Sequence, residues 1–432
     1  MTRGGTGGRI TPRVSINRRK ATADVKSGLT RGEYEITCGG VQVPPWMKKL
    51  MISGALAHKP LNGGNAWSRL SWIQGFRRLG FQVLFVEQIK AQQCVDAHGH
   101  PTGFSSSANL AYFQAVMKQF GLEHTSTLLC DDGQVWGLPL EEATRWARQS
   151  DLLFNFGGHL TQLELKQAPA RRIYYDDDPG FTQFWHAAGN NPGLAGHDFY
   201  FTLGENIGDP DCPIPTDGIQ WRHTRPPVVL ADWPVCPPKP FDRFTTIASW
   251  RGAYGPIEHG GKTYGLKCHE FRNFFTLPQR TPAACEVALQ IHPADKKDRD
   301  ALLAHGWQVI EPHTVAGSPD AFRRYVQNSA AEFSPAQGVY VGTNSGWFSD
   351  RTVRYLASGR PALVQETGFS RHIRTGAGLL SFRTLDEAIA GAETILRDYP
   401  EHCQAARRVA EEFFDSDIVI ATLAAAVDLK LP

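Results

Sequence analysis

KKLMISGALAHKPLNGGNAWSRLSWIQGFRRLGFQVLFVE, residues 48–87, is the stretch from which the fold is read. Lys48 to Ala55 is a short apolar run ending in small residues, the signature of a buried strand. A loop follows, then a helix from about Ala66 to Leu79, with Asn65 able to cap it and Trp67, Leu70, Trp72, Ile73 and Phe76 on its apolar face. Gly80 stops the helix, and Phe81 to Glu87 is the next strand. Strand, loop, helix and strand in this order are the usual entry to a parallel sheet covered by helices.

Further strands are expected at Thr125 to Cys130, Leu152 to Phe156, Ile173 to Tyr175 and Phe199 to Leu203. Between about Pro226 and Pro240 the prolines of Pro226-Pro227, Pro234, Pro237-Pro238 and Pro240 exclude a regular element and mark a linker. Past it the alternation restarts, with strands at Phe244 to Ser249, Val287 to His292, Gln308 to Ile310, Gly338 to Val341 and Pro361 to Val364. Ser349 to Ser358, closed by Gly359 and followed by Pro361, reads as a helix, and Thr384-Leu385-Asp386-Glu387 is a capping box. The chain is therefore expected to be α/β, with two Rossmann-like parallel-sheet domains facing a cleft. A basic arm spans 1–45, a first domain 46–235, a second 236–415 and a terminal helix 416–432.

Of the 432 residues 41% are hydrophobic, enough for two cores, and the formal charge of +2 argues against a protein built mainly to coat nucleic acid or an anionic membrane. The eight cysteines are scattered without a C-x-x-C pair, which points to a reduced, cytoplasmic setting. No stretch reaches the roughly 18 apolar residues of a membrane span. The first 30 residues carry seven Lys/Arg against one acid and no apolar core segment, so they read as a disordered arm; a transit peptide or a tether to an anionic partner is the alternative.

In two such domains ligands bind at the carboxyl ends of the strands. The loop Ala57 to Asn65 brings Lys59, Gly63 and Gly64 to a helix N-terminus, a place for an anion or a sugar; a plain strand-to-helix turn is the alternative. In the second domain Gly342 to Arg351 places Ser345, Gly346, Ser349 and Arg351 before a helix, able to hold a diphosphate; Ser349 as a cap with Trp347-Phe348 as packing is the alternative. Attack by a hydroxyl needs a base, for which His58, His159 and the acids Asp176 to Asp178, above all Asp178, stand at strand ends. A lone histidine is more often structural, and Asp178 before Pro179 has the alternative of a turn cap. His292 and the segment His305 to His313 lack zinc spacing, so no metal site is expected.

The run Ser345 to Gly368 resembles the donor-binding half of glycosyltransferases of the two-Rossmann, GT-B architecture. Asn65 to Trp72, Phe85 to Gln88 and Asp176 to Gln183 resemble poorly characterised bacterial members of that superfamily, so the likeness spans most of the chain from about residue 48. The glycine pair after Lys59 resembles the first-domain loop of glycogen-synthase-like enzymes, implying contact with donor phosphates or the transferred sugar. The resemblance implies that Gln365, Glu366 and Thr367 meet sugar or ribose hydroxyls, and Arg251 and Lys267 are further cations to place near the diphosphate; a solvated surface charge is the alternative for both. Arg354 stands where many retaining members have a glutamate, so no stereochemistry carries over. Asp176 to Asp178 are discounted as the metal-binding D-x-D of the other main glycosyltransferase fold. The expected activity is metal-independent hexosyl transfer from a UDP-, GDP- or dTDP-sugar, without another cofactor, to an acceptor hydroxyl or amine on a small molecule, a glycan or a nucleic acid. Hinge closure about residues 230 to 242 would align donor and acceptor. A DNA- or RNA-modifying glycosyltransferase, a non-catalytic two-lobed nucleotide-sugar-binding protein and a nucleotide-sugar epimerase are the competing readings.

Overall fold

A computed structural model describes residues 48–237, 239–252 and 254–432, and the backbone of two short antiparallel strands, Glu35–Ile36 (β1) and Gln42–Val43 (β2). The expected arm, 1–45, otherwise lies outside the described residues. By contact, 46–432 is one unit, separate from 1–45.

The opening strand Lys49–Ser53 (β3) is buried along almost its whole length, as befits a parallel strand covered on both faces. It pairs with Gln82–Ile89 (β4) and, on its other side, with Ser150–Phe156 (β7). Ser126–Cys130 (β5), Val135–Gly137 (β6), Arg172–Asp176 (β8), Phe199–Thr202 (β9) and Trp221–His223 (β10) complete an eight-stranded sheet in the order β10-β9-β8-β7-β3-β4-β5-β6. Only β6 runs antiparallel. The chain builds one side from β3 outward and then returns to begin the other at β7, so the crevice of this sheet opens between β3 and β7.

The first helix is Gly63–Arg78, three residues earlier than expected, and Asn62 caps it by accepting from the Asn65 amide. Asn65 instead donates its side-chain amide to the Ala55 carbonyl, 2.7 Å away. The glycines have a steric reason: a Cβ on Gly63 would lie 2.2 Å from the Ser318 carbonyl oxygen, and one on Gly64 2.9 Å from the Phe322 ring.

Past the linker, Arg243–Ser249 (β11), Ala284–Gln290 (β14), Gln308–Ile310 (β15), Ala331–Ser334 (β16), Ala362–Gln365 (β17) and Leu379–Phe382 (β18) form a six-stranded, wholly parallel sheet in the order β15-β14-β11-β16-β17-β18. Its crevice opens between β11 and β16. Ile257–His259 (β12) and Lys262–Tyr264 (β13) make a separate hairpin. The strand expected at Gly338 to Val341 is a correction: those residues begin the helix Gly338–Thr343, and the strand lies upstream at Ala331–Ser334. Glu332 in the middle of that strand disguises it; its carboxylate is fully buried and paired with Arg351 Nε at 2.5 Å.

The proline-rich segment joins β10 to β11 and is pinned by the chain's end. The Val228 amide donates to the Phe414 carbonyl at 2.8 Å, the Val228 carbonyl accepts from the Ser416 amide at 2.9 Å, and Trp233 packs against Trp67 and Phe322. The last helix, Ser416–Ala426, crosses back to pack on Gly63–Arg78, where a Cβ on Gly75 would lie 2.4 Å from Ile420 Cδ1. Gly75→Val should therefore cost about 1–3 kcal/mol, read as a lowered urea midpoint, because the crossing cannot open without displacing both helices.

Candidate active site

Two parallel sheets whose crevices open toward each other leave a cavity of about 520 Å³ between their carboxyl ends. The loops after β3 and β7 flank the first crevice, which is why His58 and His159, a hundred residues apart in sequence, have ring centroids 6.0 Å apart. Both line the cavity.

His58 is held by Glu87 from β4, a carboxylate only 1% exposed. Glu87 accepts hydrogen bonds from the backbone amides of Leu56 and Ala57 at 2.8 Å and of His58 at 3.0 Å, and His58 Nδ1 lies 2.9 Å away. A carboxylate that gathers backbone amides in this way fixes the loop. It also selects the tautomer, because Nδ1–H donates to the acid and Nε2 is left as an acceptor. His159 differs: burial in the cleft, then Arg69, His58 and Lys59, hold its imidazole well below the usual histidine range, so it is neutral.

The three acids at the end of β8 have separate tasks. Asp176 is buried and accepts from Thr182 Oγ1, Gln183 Nε2 and Thr202 Oγ1 at 2.7–2.8 Å, and burial pushes its pKa up to about 6. Asp177 pairs with Arg69 at 3.3 Å. Asp178 accepts from Tyr340 Oη at 3.0 Å, a bond from the helix Gly338–Thr343 of the second half, and burial and then Asp177 raise its pKa. Asp177 and Asp178 line the cavity.

The opposite wall carries Ser249 and Gln290 from the ends of β11 and β14, with Tyr254, His313, Trp347, Asp350 and Arg351. Trp347 stacks on Tyr340 at 4.3 Å. Arg351 is engaged at every nitrogen, with Glu332 and Ser334 from β16 and the Ile247 carbonyl of β11, so it clasps the second crevice and its charge is matched by Glu332. It opens the helix Asp350–Ala357, whose N-cap Ser349 makes no side-chain capping bond.

Of the residues expected from sequence, the cavity thus collects His58, Lys59, Gly64, His159, Asp178 and Arg351. The others do not line it. Gly63 lies against Ser318, and Arg251 reaches outward to Asp295 at 2.5 Å. Lys267 is buried, donating to the Pro335 carbonyl at 2.5 Å, and burial brings its pKa down to about 7. Ser345 accepts from the Trp347 amide, Gly346 (φ +79°) abuts the backbone of Glu205 and Asn206, and the Ser349 carbonyl accepts from Val353. Gln365 bonds Ala336 and Glu270, Glu366 accepts from the Gly368 amide, and Thr367 donates to the Trp347 carbonyl. Sequence reasoning passed over Glu87, Arg69, Tyr254 and Trp347 as site residues. The first two carried a signal, since each is an ionisable residue inside an apolar element.

No family model matches the chain, and no curated protein matches its sequence. The fold is that of solved GT-B proteins. An α-glucosyltransferase in complex with UDP and a 13-mer DNA containing an HMU base is similar at a TM-score of 0.55 and 11% identity, with 88% of this chain and 100% of that one covered. HepE from Anabaena in complex with UDP and glucose is similar at 0.55 and 10%, covering 88% and 99%. A sucrose-phosphate synthase from Thermosynechococcus elongatus is similar at 0.51 and 9%, covering 88% and 98%. The chain has the two-Rossmann GT-B architecture, and among the described residues no helix is long and apolar enough to cross a membrane.

A carboxyl group with a raised folded pKa favours the folded state below its unfolded pKa and loses that advantage as pH rises through the folded one. Wild type should thus lose stability relative to Asp176→Asn between about pH 4 and about pH 6, measured by urea unfolding across that range. A stability difference independent of pH would contradict the assignment.

Proposed function

We propose that the protein is a glycosyltransferase that moves a hexosyl group from a nucleoside-diphosphate sugar, of the UDP, GDP or dTDP kind, to an acceptor hydroxyl or amine without a metal ion. The observation that carries the reading is the cavity itself, which sets a histidine oriented by a buried carboxylate on one crevice opposite a helix N-terminus on the other. The neighbours named above whose structures hold UDP share the fold that makes such a cavity.

In this reading the donor lies on the second half. The leaving diphosphate meets the uncapped first turn of Asp350–Ala357. Trp347 and Tyr254 supply flat faces for a sugar ring. The acceptor lies against the first half, its hydroxyl directed at His58 Nε2. As the acceptor oxygen bonds to the anomeric carbon, its proton passes to Nε2 and the bond from that carbon to the diphosphate oxygen breaks, the electron pair leaving with the nucleotide. Glu87 stabilises the imidazolium through Nδ1. Asp178, already accepting from Tyr340, is less available than His58.

A thermal-shift screen against UDP, GDP, dTDP, CMP and ADP tests the donor. One nucleotide at about a hundred times its Kd should add about 2.7 kcal/mol of stability, and no shift with any of them would refute the reading. His58→Ala should then lower kcat by about 10²–10⁴ while nucleotide binding is kept.

A further inference from the structure

We infer that Arg69 holds an anionic group, a phosphate monoester or a carboxylate, on a substrate and distinct from the nucleoside diphosphate. The inference deepens the glycosyltransferase reading and rests on it. Arg69 is 6% exposed and lines the cavity from the helix Gly63–Arg78. Its guanidinium lies over the Phe156 ring, 4.8 Å from the centroid, beside Gly54, where a Cβ would approach Arg69 Cγ to 3.2 Å. The side chain is thereby fixed, yet it is poorly satisfied. A guanidinium offers five N–H donors. Here Nε has no partner among the described residues, Nη1 reaches only the Asn65 carbonyl at 3.5 Å, and Nη2 only Asp177 at 3.3 Å.

A buried cation with idle donors is costly unless an anion completes it. The contrast with Arg351, every nitrogen of which is engaged at 2.5–2.8 Å, sets Arg69 apart from the structural arginine of the same cavity. Lys59, exposed on the loop after β3 and within the field of Asp178, supplies a second cation. Both stand on the first-half wall with His58 and His159, whereas the diphosphate is assigned to the helix N-terminus of the other wall. The anion therefore belongs to the acceptor or to the transferred sugar. Phosphate and carboxylate oxygens match the planar fork of Arg in a way hydroxyls do not. Asp177 shares that fork and competes with the incoming anion.

Calorimetric titration of the full chain with UDP, glucose, glucose 6-phosphate, UDP-glucose and UDP-glucuronate tests this. Glucose 6-phosphate preferred over glucose would place the anion on the acceptor, and UDP-glucuronate preferred over UDP-glucose would place it on the donor sugar. In either case Arg69→Gln should weaken the anionic member by about tenfold or more and leave the UDP affinity within about twofold. Asp177→Asn, which frees the fork, should tighten it. That gain separates an anion site from simple damage, and it decides the matter if Arg69→Gln does not fold. Anion affinities unmoved by both variants would overturn the inference, as would a loss of UDP affinity in Arg69→Gln as large as the loss of anion affinity. Failure of the wild-type chain to bind any nucleotide would instead sink the glycosyltransferase reading, and an Arg69-dependent preference for glucose 6-phosphate would survive it.

Discussion

The close approach of the helix Gly63–Arg78 to the second half of the chain is the constraint on which the rest depends. One side of this helix covers the first sheet through Trp72 and Phe76, which pack on Phe154. Another meets the second half through Gly63 against Ser318, Trp67 Nε1 donating to the Pro319 carbonyl, and Arg354 donating to Ser71 Oγ. A third carries the terminal helix at Gly75. A helix enclosed in this way meets bulk solvent with charge only in its last turn, at Arg77 and Arg78, and its apolar and small residues are spread around the rest of its circumference. The glycines that sequence reasoning assigned to an anion loop thus serve contact between the halves, and only Gly64 also reaches the cavity wall.

That enclosure explains the electrostatics of the cavity. Because the helix is enclosed around Arg69, which is only 6% exposed, that side chain cannot extend into bulk water and must find its partners in the cleft. Around it the first half gathers Lys59 and His58, the neutral His159 and the acids Asp177 and Asp178, while Glu87 is tied up by its backbone amides. The second half is quieter, since the charge of Arg351 is matched by Glu332 inside β16. Chemistry that needs a proton acceptor is concentrated on one wall, and the wall facing it has a helix N-terminus.

The architecture was legible because parallel strands buried on both faces leave long apolar runs, and the capping box at Thr384 was legible because its bonds are local: Glu387 N donates to Thr384 Oγ1 at 3.2 Å. β16 was not, since its charge is cancelled by Arg351, 19 residues away. The site was legible to the extent that strand-end loops were. His58, His159 and Asp178 could be picked out as polar residues following apolar runs. Glu87 and Arg69 could not be ranked, because whether a charge inside an apolar element is a structural anchor or a ligand depends on partners brought from other elements. Gln365 to Thr367 show the converse, as residues in a familiar pattern whose donors and acceptors are spent within their own half and with Trp347.

The bond from Tyr340 to Asp178 joins the halves beside the proposed base, and it is not isolated. Asn206 donates its amide to the Asn344 carbonyl and its side chain meets His372 at 2.7 Å, while Arg225 pairs with Glu205 and also reaches the His372 carbonyl. These contacts tie the loop after β9 to the segments that follow the helix Gly338–Thr343 and β17. Separation of the halves must break them together, whereas the linker segment is pinned to the terminal helix at Val228 and Ser416. This side is close-packed as well, since Phe184 stacks on Tyr264 at 5.3 Å, Phe181 meets Tyr340 edge-on at 6.2 Å and a Cβ on Gly180 would lie 3.0 Å from Val339, so the cavity is bounded on both sides by buried contacts between the halves.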